Sequence, residues 1–286
     1  MTQYRVIAAD VRCRLGEGPY WSVRQQALYW VDILGHAVFR LCLQDDRVTT
    51  WHVPEMIGWL IERANARSFV AGMRSDIVHL QLDPVRIAPI ATPEADRPGN
   101  RLNDAKVDPS GRIWAGTMPL QARGDTGALY RIDPDASVSC HDQGYSVTNG
   151  PAFSPDGRYL YHNDSIRGLV YRFELGGDGA LRNRCVLIEF GPDQGKPDGM
   201  TVDSEGALWI ALWGVGRVSR YTAEGRFDRA VDLPVSQVTS CTFGGPALDR
   251  LFVTSAAEGA DTEPLAGSLF EVDPNVTGLA PNLYAG

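Results

Sequence analysis

Asn103–Thr117 reads NDAKVDPSGRIWAGT, and Asn149–Ser165 reads NGPAFSPDGRYLYHNDS. Asp198–Trp213, DGMTVDSEGALWIALW, repeats the phrase, and Glu17–Ile33, EGPYWSVRQQALYWVDI, repeats it with a different turn. Each stretch has a polar opener, a short apolar strand, a turn, and a second strand rich in Trp, Tyr, Leu and Ile. In the first three the turn glycine (Gly111, Gly157, Gly206) follows its opener by eight residues. Internal repetition at a period of roughly 40–50 residues points to a propeller or a solenoid. Short alternating runs such as RIWAGT and GALYRID make the unit all-β, and the absence of sustained helical periodicity excludes helical solenoids. Two further units complete the set, one from about Gly58 through FVAGM to IVHLQLD, the other SCTFGGPALDRLFVTSA followed by GSLFEVD. The expectation is an all-β, six-bladed β-propeller with a central channel and about four strands per blade. Such a ring must close to remove its edges, so the spare strand near Arg5–Val11 is expected to pair into the last blade.

The chain has 286 residues and a net charge of −8. No linker or low-complexity tract divides it, so it is read as a single domain, 1–286. The negative charge speaks against nucleic-acid and anionic-membrane partners. MTQYRVIAAD lacks the apolar region of a signal peptide, and no apolar run approaches a membrane span, so a cytoplasmic location is expected. The five cysteines (Cys13, Cys42, Cys140, Cys185, Cys241) are scattered without CxxC spacing. They fit a reducing compartment and are read as small buried apolar residues.

The openers carry the chemistry. Taken alone, Asn149-Gly150 and Pro197-Asp198-Gly199 read as ordinary turns. The register says otherwise: each of those repeats has its own turn further on, at Asp156-Gly157 and at Glu205-Gly206. Glu17, Asn103, Asn149 and Asp198 therefore stand at the mouths of inner strands, beside the channel. Gly16, Gly18 and Pro19 shape the backbone around Glu17. Two carboxylates buried close together are costly without a cation. Oxygen donors suit Ca²⁺, Mg²⁺ and Mn²⁺, and Zn²⁺ and Fe²⁺ also accept carboxylates. A purely structural ring, hydrogen-bonding channel backbone, is the bland alternative.

With these residues in view, the chain resembles the SMP-30/gluconolactonase/regucalcin family of sugar lactonases. The likeness rests on LGEGPYW with LYWVDI, RLNDAKVDPSGRIWAGTM, TNGPAFSPDGRYLYHNDS, PDGMTVDSEGALWIALWGVGRVSRY, PVSQVTSCTFGGP and PLAGSLFEVD, and it spans nearly the whole chain. It implies one divalent metal held by Glu17, Asn149 and Asp198, with Arg101 and Asn103 contacting a sugar lactone. The implied reaction is hydrolysis of an aldonolactone to the sugar acid, in carbohydrate catabolism. Asp198 is the expected general base as well as a ligand, with a metal-bound hydroxide as its competitor. The tract ALWGVGRV resembles the bacterial members more than the animal ones. Gln121 departs from relatives with an acidic residue there, which bears on hydroxyl recognition.

Other candidates are weaker. No GxSxG elbow exists for a serine nucleophile. His36, His52, His79 and His141 sit in outer-strand or loop text, whereas His162 is a candidate to approach the channel. Asp32 and Asp164 are expected to bind backbone, and Trp213 is either the floor of a sugar pocket or propeller core. Phosphotriester hydrolysis on the same metal propeller and a non-catalytic calcium-binding scaffold are the rival functions.

Overall fold

Runs of four to nine residues, rich in β-branched and aromatic side chains and bounded by glycine turns, become strands. The computed structural model describes residues 4–286. The first strand, β1, is Tyr4–Ile7. The first blade follows as β2 (Gly16–Ser22), β3 (Ala27–Asp32), β4 (Ala37–Cys42) and β5 (Arg47–His52). The second is β6 (Ile57–Glu62), β7 (Phe69–Met73), β8 (Ile77–Leu82) and β9 (Val85–Ala91). The third is β10 (Asn100–Val107), β11 (Ile113–Pro119), β12 (Gly127–Ile132) and β13 (Val138–Tyr145). The fourth is β14 (Thr148–Phe153), β15 (Tyr159–Asp164), β16 (Leu169–Leu175) and β17 (Leu181–Glu189). The fifth is β18 (Lys196–Val202), β19 (Leu208–Trp213), β20 (Arg217–Tyr221) and β21 (Phe227–Asp232). The sixth takes β22 (Val238–Gly244), β23 (Arg250–Ser255) and β24 (Leu269–Val272), and β1 completes it by pairing antiparallel with β24.

These are six four-stranded antiparallel sheets. Their inner strands touch in the order β2, β6, β10, β14, β18, β22 and back to β2, which closes the ring of a six-bladed β-propeller. The closing strand is shorter than the sequence suggests. Val11 N–H donates to Ala8 C=O at 2.8 Å, and this turn ends the strand at Ile7.

Burial falls from the axis outward. β2 and β22 are buried along their whole length, whereas β5, β9 and β13 are largely half-buried or exposed. Between blades lie fully buried Trp21, Trp30, Trp59, Trp114 and Trp209. The repeated turn has one construction: Gly111, Gly157 and Gly206 each donate N–H to the carbonyl three residues back at 2.9–3.0 Å, with φ from 69° to 84°. That left-handed backbone is why glycine recurs there. The turn also anchors a tryptophan. Asp108 accepts from Trp114 Nε1, and Asp203 from Trp209 Nε1, each at 2.9 Å.

The cysteine expectation holds for two of five. Cys13 and Cys241 are buried, Cys42 is half-buried, and Cys140 and Cys185 are exposed on outer strands. No helix among the described residues is long and apolar enough to cross a membrane.

Candidate active site

In each blade the pairing of the inner strand with its neighbour slips near the mouth. The shift falls between Glu17 and Tyr20, Ile57 and Trp59, Leu102 and Ala105, Asn149 and Ala152, Pro197 and Met200, and Val238 and Ser240. A bulge leaves a residue unpaired and re-aims its side chain. Gly18, immediately after Glu17, has φ 53° and supplies the bend in the first blade. The structure thus puts Asn149 and Asp198 in strands rather than turns, as the register requires.

Arg101, Asn103 and Asn149 form one hydrogen-bond network, and Glu17 and Asp198 lie near enough to act on the Arg101 charge. Glu17, Arg101, Asn103, Asn149 and Asp198 are all buried. Arg101 Nη1 donates to Asn103 Oδ1 at 2.7 Å and to Leu102 C=O at 3.0 Å. Asn103 Nδ2 donates to Thr148 C=O at 2.6 Å and to Asn149 Oδ1 at 2.9 Å. Asn149 Nδ2 donates to Ser165 Oγ at 2.9 Å. One Glu17 oxygen, Oε2, accepts Gly18 N–H at 3.0 Å. Asp198 Oδ1 is buried with no hydrogen-bond partner.

Electrostatics mark the same spot. Burial, then the charge of Asp104, pushes the Glu17 carboxyl up to about 8. Burial, then the negative charges of Glu17 and Asp104, raises Asp198 well above the usual carboxylate range. Glu17 and Asp198 are near enough to share a hydrogen bond. Burial lowers Arg101 to about 10, against the pull of both carboxylates, so it stays cationic at neutral pH.

Two carboxylates and an amide oxygen at a buried point, one carboxylate oxygen lacking any donor, fit a hard divalent cation. Such an ion would satisfy Asp198 Oδ1 and remove the repulsion that raises both acids. Among the described residues no cluster of three or more His, Cys, Asp or Glu side chains stands at ligand spacing.

The remaining candidates fall elsewhere. His162 is fully buried on β15, its ring edge-on to Tyr145 at 4.9 Å, with neither nitrogen partnered. Burial, then the charge of Arg184, lowers it to about 3. Asp32 accepts the N–H groups of Arg14, Leu15 and Gly35, and Asp164 that of Ser146, as expected of backbone binders. Trp213 is half-buried at the end of β19, at the mouth of its blade. Gln121 is exposed in the turn after β11.

Two residues escaped the sequence reading. Asn163 is fully buried and its Nδ2 donates to Asp198 C=O at 2.6 Å, which fixes the Asp198 backbone. Its place in LYHNDS beside His162 was its only signal. Asp104 is buried next to Asn103, and strict alternation would turn it away from the channel; the slip between Leu102 and Ala105 alters that phase.

Residues 15–257 match the family model described as SMP-30/gluconolactonase/LRE-like region. A 6-deoxy-6-sulfogluconolactonase of Pseudomonas putida is 37% identical over 278 residues, covering 95% of each chain. A pentonolactonase of Haloferax volcanii is 35% identical over 299 residues, covering 97% of this chain and 96% of its own. The solved structure of a calcium-binding protein, regucalcin, from Agrobacterium tumefaciens has a TM-score of 0.93 at 30% identity, covering 99% of this chain and 97% of that one. Fold, buried site and sequence agree: the chain belongs to the SMP-30/gluconolactonase/LRE-like family.

Proposed function

We propose that this chain is a sugar lactonase, a carboxylic ester hydrolase that opens an aldonolactone to its sugar acid through one domain spanning 1–286. Glu17, Asn149 and Asp198 would hold a divalent cation, and Arg101 and Asn103 would contact the substrate. The observation that carries the reading is the buried, unpartnered Asp198 Oδ1 beside Glu17 and the Arg101 charge. The lactonases among its relatives favour this chemistry over phosphotriester hydrolysis.

When bound, the cation supplies positive charge that polarises the lactone carbonyl. The Asp198 carboxylate takes a proton from water as the water oxygen bonds to the carbonyl carbon. Asn163 holds the Asp198 main chain still while this happens. Arg101 has one guanidinium nitrogen fixed by Asn103 and Leu102, and its other donors remain for ring and hydroxyl oxygens. Its buried charge also favours the negative charge that grows on the carbonyl oxygen. The proton returns to the ring oxygen as the ester C–O bond breaks, leaving a hydroxyl and a carboxylic acid, which gives its own proton to solvent to become the carboxylate.

Turnover of a sugar-lactone panel, after exhaustive chelation and after adding back Ca²⁺, Mg²⁺, Mn²⁺, Zn²⁺ or Fe²⁺, tests the proposal. The expected result is loss of activity and graded recovery. Full turnover by verified metal-free protein would end the cation part. Metal binding without turnover of any lactone would favour a calcium-binding scaffold instead.

A further inference from the structure

Toward the C-terminal ends of the inner strands lies a cavity of about 330 Å³, at the small end of the range for ligand pockets. Asp104, Lys106, Thr201 and Thr242 face it among apolar walls that include Tyr20 and Ile61. Its floor includes Leu279–Asn282. That segment is fastened: Asn282 Nδ2 donates to Val107 C=O at 3.0 Å, Tyr284 N–H to Glu62 C=O at 3.0 Å, and Tyr284 Oη to Asp133 C=O at 2.8 Å. The pocket is preformed, which lowers the ordering cost of binding.

Asp104 is 3% exposed; its Oδ1 accepts Ala105 N–H at 2.7 Å, and its Oδ2 has no partner. Buried carboxylate oxygens are normally satisfied, so this one asks for a donor. Lys106 lines the same cavity and brings a cation to it. These two requirements select the ligand. An apolar molecule would leave Oδ2 orphaned. A metal ion or an amine would face the Lys106 ammonium. A hydroxy acid meets both, its hydroxyl donating to Asp104 and its carboxylate pairing with Lys106. We propose that the lower channel is a second ligand pocket for a small hydroxycarboxylate, held by Lys106 and Asp104 and distinct from the Arg101 site.

Equilibrium dialysis of labelled gluconate, with hexanoate as the hydroxyl-free control, tests this on the intact protein. Saturable gluconate binding is expected in wild type and in Arg101→Ala. It should weaken at least tenfold in Lys106→Met, recover in Lys106→Arg, and leave lactone turnover by Lys106→Met near wild type. Lys106→Gln reads the same loss should Lys106→Met fail to fold. Absence of saturable binding in wild type overturns the proposal. So does loss of binding in Arg101→Ala with retention in Lys106→Met, which puts the acid in the upper site. Hexanoate binding as tightly as gluconate removes the Asp104 contact and with it the assigned ligand class.

Discussion

Asp198 and Arg101 bear different loads in the proposed chemistry, and single substitutions separate them. Asp198→Asn keeps an oxygen donor but loses a charge and the proton acceptor, so kcat should fall by about 10²-fold or more, the scale of general-base catalysis. Steady-state kinetics on protein whose unfolding temperature shows it intact reads this; near wild-type turnover would leave Asp198 as a ligand only. Arg101→Ala should lower kcat/KM by about ten- to hundredfold, the scale of a charged hydrogen bond, and more for a sugar lactone than for an unsubstituted one. Equal losses on the two would show that Arg101 does not read hydroxyls. His162 gives a test through stability. Its folded value, about 3, lies below the ordinary 6.5, so between those pH values the unfolded chain binds a proton that the native one does not. Stability present above pH 6.5 should thus be lost as pH falls, by ~1.4 kcal/mol per pH unit for one proton. Urea melts from pH 7 to pH 4.5 should show a slope shallower by about that amount in His162→Leu, whatever the offset. An unchanged slope would assign the acid sensitivity to other groups.

At the scale of the element, the repeated phrase joins a turn, a buried aspartate and a tryptophan into one unit. Asp203 Oδ1 accepts the N–H groups of Glu205 and Ala207 at 3.0 Å, while Oδ2 takes Trp209 Nε1 at 2.9 Å and Arg220 Nε at 2.8 Å. Arg220 keeps Glu205 and Asp228 as further partners. Asp203→Ala should therefore cost about 3 kcal/mol, the low end for breaking a buried ion pair, in denaturant melts. The folded fraction should turn over substrate normally, because Asp203 closes the far end of the inner strand. What was legible here followed from spacing. The eight-residue offset put Asn149 and Asp198 at strand mouths and not in turns. What was not legible followed from the bulges: a slipped register resets which side chains face the channel, so Asp104 could not be read from alternation. His162 and Asn163 stand on a strand without such a slip. Strand β15 continues in regular pairing through His162 and Asn163, so the histidine is committed to the layer between blades while its neighbour faces Asp198.

For the whole molecule, the repeat count and the need to close an edge were enough to give six blades and a closing N-terminal strand. The C-terminal floor of the channel was not foreseen, because NVTGLAPNLYAG has no strand pattern and is held by isolated hydrogen bonds and two isolated bridges, Asp203 with Gly278 and Arg63 with Tyr284. Closure itself makes a prediction. β1 contributes four pairs to β24, from Tyr4 with Val272 to Ile7 with Leu269. Tyr4 packs edge-on against Phe270 at 5.7 Å, and Arg5 forms a salt bridge to Glu271, which also pairs with Arg250 at 2.6 Å. Removing the chain through Ile7 would bare β24 as a free edge and strip the apolar cover from the sixth blade. That blade carries β22, whose Thr242 lines the inner cavity and whose Ser240 packs against Gly199 of the fifth blade, so the loss should spread around the ring rather than fray one end. Calorimetry should show a single transition at a temperature lower by about 5 °C or more, as a loss of a few kcal/mol implies for a domain of this size. Light scattering should show association of the truncated chain through the bared edge, and a peptide of the removed sequence should suppress it. A truncated chain that melts at the wild-type temperature and stays monomeric would show that the ring is held shut by the inner strands alone.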